Sequence, residues 1–76
     1  MKELVELLAR ALVDQPDMVE VREVEDDQRI LVEVRVAPGD VGKIIGRQGC
    51  TIKAMRTLLH AASIKSQKRA DLEIIE

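Results

Sequence analysis

The feature that most limits the fold of this chain is an alternating segment at positions 29–36. Apolar side chains occupy every second position there, and mostly polar ones lie between them. The apolar face carries Ile30, Val32, Val34 and Val36. This alternation is typical of a β-strand with one buried face. In a chain of 76 residues, it predicts one small core, formed by a sheet with helices packed on one side.

Two amphipathic helices are predicted to cover this face. The first runs from Glu3 to Val13 and ends at the proline-containing segment 14–17. Its apolar stripe is Leu4, Leu7, Leu8, Ala11 and Leu12. The other helix begins at Cys50 or Thr51 and ends at Ser63. Its apolar stripe is Ile52, Met55, Leu59 and Ala62.

The remaining segments complete an α+β domain. One strand is predicted at Met18–Glu25, close enough to the strand at 29–36 to form a hairpin, and a final strand at Ala70–Ile75. A short helix at Val41–Ile45 precedes the long one. The predicted order is therefore α-β-β-α-α-β in a single domain spanning residues 1–76, with a three-stranded sheet and three helices packed on one face.

Composition excludes several classes of site. The chain has no Phe, Trp or Tyr, which excludes readers that stack bases on aromatic rings. Cys50 and His60 are the only residues of their types, which excludes an internal disulfide framework, an all-cysteine metal site and a site with two or three histidines. No metal or cofactor is expected. No apolar run approaches the ~20 residues of a membrane span, and the charged start leads directly into a helix, unlike a signal peptide. We expect a cytoplasmic protein.

Charge is distributed unevenly along the chain. Residues 1–40 carry 5 basic and 11 acidic side chains, whereas residues 41–76 carry 7 basic and 3 acidic ones. Between Val41 and Ala70 there is no Asp or Glu at all. This partition predicts an anion-binding surface in the second half of a globally acidic protein.

The basic region contains a glycine-rich loop between two helices, Gly46-Arg47-Gln48-Gly49. Glycines three residues apart permit positive φ and leave backbone N–H groups uncovered by a Cβ. The helix that follows directs its unpaired N–H groups and positive dipole end toward the same place. The arrangement favours close approach of a phosphodiester backbone. A plain interhelical turn is the alternative, because helix–turn–helix corners also use glycine.

The sequence around this loop resembles the KH domain. Residues 44–49, Ile-Ile-Gly-Arg-Gln-Gly, match the Ile-Ile-Gly-x-x-Gly signature of that family. The predicted order of elements resembles its bacterial, type II members, which implies a mixed sheet. Residues 36–46 and 73–76 are similar to the stand-alone bacterial KH proteins of the KhpA (YlqC) type. The resemblance covers essentially the whole chain.

The resemblance implies a protein that binds single-stranded RNA without catalysis, as an RNA chaperone or post-transcriptional regulator. It also implies assembly into homodimers, or into heterodimers with a larger KH-domain protein of the KhpB (Jag) type. No membrane partner is implied.

Carried over onto this chain, the resemblance implies the following contacts. The clamp on the RNA backbone is assigned to Gly46, Arg47, Gln48 and Gly49. The apolar floor of a groove for about four nucleotides is assigned to Val41, Ile44 and Ile45. Phosphate contacts are assigned to Lys43, Lys53 and Arg56. Part of the strand at 30–36 is expected to form the opposite wall of the groove.

Several residues also have plainer interpretations. Ile44 and Ile45 cannot both face a groove, so at least one is expected in the core. His60 has no neighbouring Ser, Cys or carboxylate in sequence that would indicate catalysis. Cys50 lies at a helix N-terminus, where thiol pKa values tend to fall, which supports redox chemistry only as a minor hypothesis. A solvated connection is the simpler interpretation of Lys65, Lys68 and Arg69.

No enzyme motif is present, because Gly42–Gly49 fits neither a P-loop nor a dinucleotide-binding fingerprint. Binding of single-stranded RNA is the leading prediction. The alternative is a protein-interaction module that pairs with itself or with a larger KH-domain protein, where Ala61 and Ala62 would allow close helix packing. A ribosome-associated factor that uses the same groove on structured RNA fits the sequence equally well.

Overall fold

The structure, a computed structural model, describes residues 1–75; Glu76, which the predicted domain and the closing motif include, lies outside the described residues. The helices and strands are α1 (Lys2–Leu12), β1 (Glu20–Glu25), β2 (Arg29–Arg35), α2 (Val41–Ile45), α3 (Cys50–Ser63) and β3 (Arg69–Ile75). This order confirms the predicted α-β-β-α-α-β arrangement. None of these helices is both long enough and apolar enough to traverse a bilayer.

The sheet is mixed, as the resemblance implied. β1 and β2 form an antiparallel hairpin with Val21 opposite Val34, and β3 joins β2 in parallel with Leu72 opposite Val32. The strand order β1-β2-β3 makes β2 central. A parallel return to the sheet needs a long crossover, which α2 and α3 supply. β1 begins two residues later than predicted, because Pro16–Met18 forms a 3₁₀ turn.

The turn of the hairpin is fixed by Asp26. Its carboxylate accepts hydrogen bonds from the backbone N–H groups of Gln28 (2.8 Å) and Arg29 (2.7 Å). These two bonds stabilise the ionised form and hold the pKa of Asp26 below its ordinary value of 3.8. The turn sets the register of β2 against β1, and so places Val21 of β1 on the same face of the sheet as Val34 of β2.

One face of the sheet is buried under the helices. Ile30, Val32 and Val34 of β2 are between 0 and 5% exposed. They form one core with side chains of α1, α2, α3 and β3, including Val5, Ile44, Leu59 and Leu72. On the other face Glu33 and Arg35 remain at least partly exposed. The prediction that the helices cover the alternating apolar face of the strand is confirmed.

Helix α1 buries a different face from the predicted one. Val5 and Ala9 are fully buried, whereas Leu7 and Leu12, both in the predicted stripe, are 68% and 40% exposed. Apolar residues extend over most of the circumference of this helix, so their spacing does not identify the side that meets the sheet. The members of the predicted stripe that pack against the core are Leu4 and Leu8.

Helix α3 has its predicted bounds and most of its predicted stripe. Ile52, Met55 and Leu59 are buried, but the stripe continues to Ser63 and not to Ala62, which is exposed. With 3.6 residues per turn, position 63 lies closer than position 62 to the mean direction of the buried face. Burial of the Ser63 hydroxyl is tolerated because it donates a hydrogen bond to the carbonyl of residue 60 (2.8 Å).

Candidate nucleic-acid interface

The loop between α2 and α3 has a backbone conformation open to few sequences. Three of its four residues have positive φ, namely Gly46 (76°), Gln48 (56°) and Gly49 (76°). Two hydrogen bonds close it, from the N–H of Gly46 to the carbonyl of Gly42 (2.9 Å) and from the N–H of Gly49 to that of Gly46 (3.1 Å). Because Gln48 has a Cβ, its left-handed conformation carries strain of about 1–2 kcal/mol.

The two glycines of the loop are needed for different reasons. At Gly46 a Cβ would lie 2.2 Å from the hydroxyl oxygen of Thr51 in α3, which is closer than any real contact. At Gly49 the nearest atom would be Cε of Lys53 at 3.8 Å, an ordinary contact. Gly46 therefore lets the loop pass close to α3, and Gly49 supplies only a left-handed turn into the helix. Neither position places a Cβ between the backbone and an approaching ligand.

Helix α3 begins directly at this loop. No side chain of residues 1–75 caps its N-terminus. The N–H of Cys50 donates to the carbonyl of Arg47, and the other N–H groups of the first turn are left to solvent or to a ligand. Its 14 residues align their peptide dipoles and place partial positive charge at this end. A phosphate at the loop would meet these N–H groups and the guanidinium of Arg47 together.

Basic side chains at the loop and along α3 lack a carboxylate partner among residues 1–75. Elsewhere many basic residues are paired, for example Arg29 with Asp71 (3.2 Å) and Arg22 with Glu33 (3.9 Å). An unpaired cation can attract a phosphate without first giving up an ion pair. The unpaired residues of this region are Arg47, Lys53, Arg56 and Lys65.

Lys43, one of the predicted phosphate contacts, is already engaged. Its ammonium group contacts the carboxylate of Asp14 and lies 3.9 Å from Oδ1 of Asp40. The hydrogen bond to Asp14 raises the pKa of Lys43. Asp40 is buried, and its other oxygen accepts the backbone N–H of Gln15 (3.1 Å). Lys43 therefore links the end of α1 to α2, and two carboxylates compete with any phosphate that approaches it.

The structure decides which isoleucine before the loop belongs to the core. Ile44 is fully buried, whereas Ile45 is 38% exposed. Val41, one turn earlier in α2, is half-buried and packs against the edge of the core. Ile44 offers no surface to a ligand, so the predicted apolar floor reduces to Val41 and Ile45.

The basic face of α3 is directed toward the edge of β3. Nη2 of Arg56 donates a hydrogen bond to the carbonyl of Leu72 in the middle of that strand (3.4 Å). Lys53 and His60 are exposed and lie three and four residues from Arg56, on the same side of the helix. Within residues 1–75, β3 pairs only with β2, along one of its two edges. Its open edge and this face of α3 therefore lie side by side, and the candidate groove is the space between them.

The predicted opposite wall of the groove is wrong. Residues 30–36 cannot form it, because β2 is the central strand and its apolar side chains are buried. The available edge belongs to β3, and Leu72, in the middle of it, is a candidate position that the sequence analysis missed. The edge position of β3 could have been predicted from the order of the elements. β1 pairs with one side of β2 in a hairpin, so a right-handed crossover through the helices brings β3 to the other side.

A shallow cavity of about 300 Å³ lies on the sheet. It is lined by charges of both signs, among them Glu20, Arg22, Glu33 and Arg35. None of the predicted site residues belongs to it, so the cavity and the glycine loop are separate features.

These elements define the class of protein. A Gly-x-x-Gly loop that clamps a nucleic-acid backbone is characteristic of KH domains. Here the loop joins the two helices of a β-α-α-β unit formed by β2, α2, α3 and β3, and α1 and β1 precede this unit in the type II order. The fold and the loop are those of a KH domain.

The chain belongs to the KH-domain family of KhpA and KhpB, whose family model, "KhpA/KhpB, KH domain", matches residues 2–74. It is 53% identical over 75 residues to "RNA-binding protein KhpA" of Caldanaerobacter subterraneus subsp. tengcongensis, covering 99% of this chain and 100% of that protein. The protein of the same name from Clostridium acetobutylicum is 52% identical over 75 residues, with the same coverage. That from Aquifex aeolicus is 46% identical over 76 residues, covering 100% of this chain and 96% of the relative. No solved structure matches the chain significantly.

Proposed function

We propose that this protein binds single-stranded RNA, without catalysing a reaction on it, through the 46–49 loop and the groove between α3 and β3. The observation that carries the proposal is that a glycine loop with positive φ, an uncapped helix N-terminus and unpaired basic side chains lie together. Membership of the family, and the names of its relatives, support RNA as the polyanion. Binding of this kind suits an RNA chaperone or post-transcriptional regulator.

In this proposal the RNA backbone passes over the loop. The missing Cβ atoms at Gly46 and Gly49 allow a phosphate to approach the main chain. Arg47 pairs with a phosphate, and Gln48 donates a hydrogen bond from its amide to the backbone. Lys53, one turn into α3, contacts a neighbouring phosphate.

The bases of the RNA lie in the groove. Ile45 and Val41 provide an aliphatic floor, and Ile44 supports them from the core. Backbone groups at the open edge of β3 are within reach of base edges. A groove of this kind grips bases without stacking them, which is compatible with a chain that has no aromatic residue.

The proposal is tested by reversing charge in the loop. The double variant Arg47→Asp, Gln48→Asp should abolish binding of a fluorescent single-stranded RNA, measured by anisotropy. Because Asp is tolerated in the left-handed region better than most residues, the loop conformation at position 48 should survive. The free protein should therefore keep its circular-dichroism melt and its mass.

A matched control carries the same charge change away from the loop. Arg35 and Gln28 are exposed and lie at opposite ends of β2 and its turn, so Arg35→Asp, Gln28→Asp should leave RNA affinity nearly unchanged. An equal loss of RNA affinity in both double variants would mean that net charge alone governs binding. No binding by the wild type, or equal binding by the wild type and the loop variant, would refute the proposal.

Salt dependence provides an independent measure of the contacts. If two or three phosphates are neutralised, the logarithm of the association constant should fall with the logarithm of salt concentration with a slope of roughly −1.4 to −2.1. A slope near zero in the wild type would argue against the phosphate contacts proposed for Arg47 and Lys53.

Self-association is the second candidate function, favoured by apolar residues left exposed on α3. They lie on the side of the helix away from Lys53 and His60, and Leu58 is the largest of them, 47% exposed. Paired copies would place two grooves on one RNA and raise avidity without new contacts. The same surface could pair with a larger KH-domain protein. The exposed residues of this side are Ala54, Leu58, Ala61 and Ala62.

A further inference from the structure

We propose that Arg56 is the residue by which the groove selects among bases, and that it favours cytosine and guanine over adenine and uracil. The inference rests on the proposed function, because it concerns which RNA the same groove holds. It departs from the expectation that Arg56 contacts a phosphate. Arg56 reaches the edge strand, whereas a phosphate contact would be expected nearer the loop.

The first step concerns which backbone groups of β3 face the groove. The N–H of Arg69 donates to the carbonyl of Gln28, the residue just before β2 (3.0 Å). Backbone groups alternate in direction along a strand, so Asp71 also faces β2, and Leu72 faces away from it. The hydrogen bond from Arg56 to the Leu72 carbonyl agrees with this direction. Since both backbone groups of one strand residue point the same way, the N–H of Leu72 also lies at the open edge.

The second step concerns what a base meets there. The Leu72 carbonyl is the backbone acceptor at this position, and Arg56 already occupies it. A guanidinium has five N–H donors and no acceptor, so several of its donors remain after this bond. No carboxylate lies within ion-pair distance of Arg56 in the described part of the chain. The position therefore presents donors from Arg56 beside the donor of the Leu72 N–H.

The third step is the chemistry of the bases. Two neighbouring acceptors occur on guanine, at N7 and O6, and on cytosine, at N3 and O2. Adenine places an amino donor beside each ring acceptor of its pairing edges, and uracil places the N3–H donor between its two carbonyls. Either base would leave a donor of the groove unmatched, or would have to displace Arg56 from the Leu72 carbonyl. Discrimination of about tenfold is the expected size for one such paired contact.

The test uses four labelled single-stranded RNAs of equal length, namely C10, (UG)5, A10 and U10. The wild type should bind C10 and (UG)5 about tenfold more tightly than A10 and U10. Arg56→Ala should remove this preference. The affinity for A10 should fall least, because the freed Leu72 carbonyl can then accept a hydrogen bond from the amino group of adenine. Arg56→Lys keeps the charge but lacks the planar fork, so it should lose the preference too, and it serves if the alanine variant is poorly folded.

Lys53→Ala is the matched control for a phosphate contact on the same face of α3. It should weaken the binding of all four RNAs by a common factor. The slope of log association constant against log salt concentration should become shallower by about 0.7. If Arg56→Ala and Arg56→Lys behave in this same way, or if the wild type shows no preference, the inference is wrong while RNA binding stands. If the wild type binds none of the four, the proposed function fails and this inference fails with it.

Discussion

The two loop glycines should differ in how much substitution they tolerate. Gly46→Ala forces a Cβ to within 2.2 Å of the Thr51 hydroxyl oxygen, and its φ of 76° and ψ of 173° lie in a region almost restricted to glycine. We expect a loss of about 3 kcal/mol or more in the free energy of unfolding, a large part of the roughly 4–11 kcal/mol available to a domain of this size.

Gly49→Ala is the control for this prediction. Its Cβ meets only ordinary contacts, so the cost should be limited to the left-handed conformation, about 1–2 kcal/mol. Urea unfolding followed by far-ultraviolet circular dichroism measures both, since the chain has no aromatic residue for fluorescence. Equal losses in the two variants would show that the contact between Gly46 and Thr51 does not constrain the loop.

At the scale of elements, the face that α1 buries can be tested directly. Val5→Ala removes two methyl groups from a fully buried site and should cost about 2 kcal/mol of unfolding free energy. Leu7→Ala removes a larger side chain that is 68% exposed, and should change stability by less than about 0.5 kcal/mol. Chemical denaturation of the two variants gives the comparison. The reverse order would mean that the leucine stripe faces the sheet.

The elements themselves were predictable because their signals are local. Alternation fixed the strand at 29–36, and the spacing of Ile52, Met55 and Leu59 fixed α3 to within a residue. The glycine loop was likewise predictable, because positions with positive φ favour glycine, as at Gly46 and Gly49.

What remained hidden depends on contacts between elements. α1 is apolar around most of its circumference, so only the sheet decides that Val5, and not Leu7, is buried. The choice of Ile44 for the core depends in the same way on how α2 sits over the sheet. Lys43 looks free in sequence, yet folding brings Asp14, 29 residues away, onto its ammonium group. The edge position of β3, which exposes the Leu72 backbone, is a property of strand order.

At the scale of the whole molecule, self-association should depend on the exposed apolar side of α3. Leu58→Glu should convert a dimer into a monomer of 8.5 kDa, because a charge at the centre of an isologous contact is buried twice. Sedimentation velocity measures the mass. RNA affinity should fall at the same time through loss of avidity, while the weaker single-groove binding persists.

Leu7→Glu is the control for that experiment, since it is the same substitution at an exposed leucine on another helix. It should leave the mass unchanged. A wild type that stays monomeric at high concentration would contradict self-association. A dimer that survives Leu58→Glu but dissociates with Leu7→Glu would move the contact to α1.

The open edge of β3 also affects how the protein avoids aggregation. An unpaired strand edge is a template onto which another chain can add a strand, and natural proteins block such edges with charged side chains or cover. Here Arg56 lies across the middle of the edge, on the Leu72 carbonyl, and Arg69 is charged at its start. The side chain proposed to select bases thus also obstructs strand addition at this carbonyl while no RNA is bound, and in the proposed complex the RNA takes over the same part of the edge.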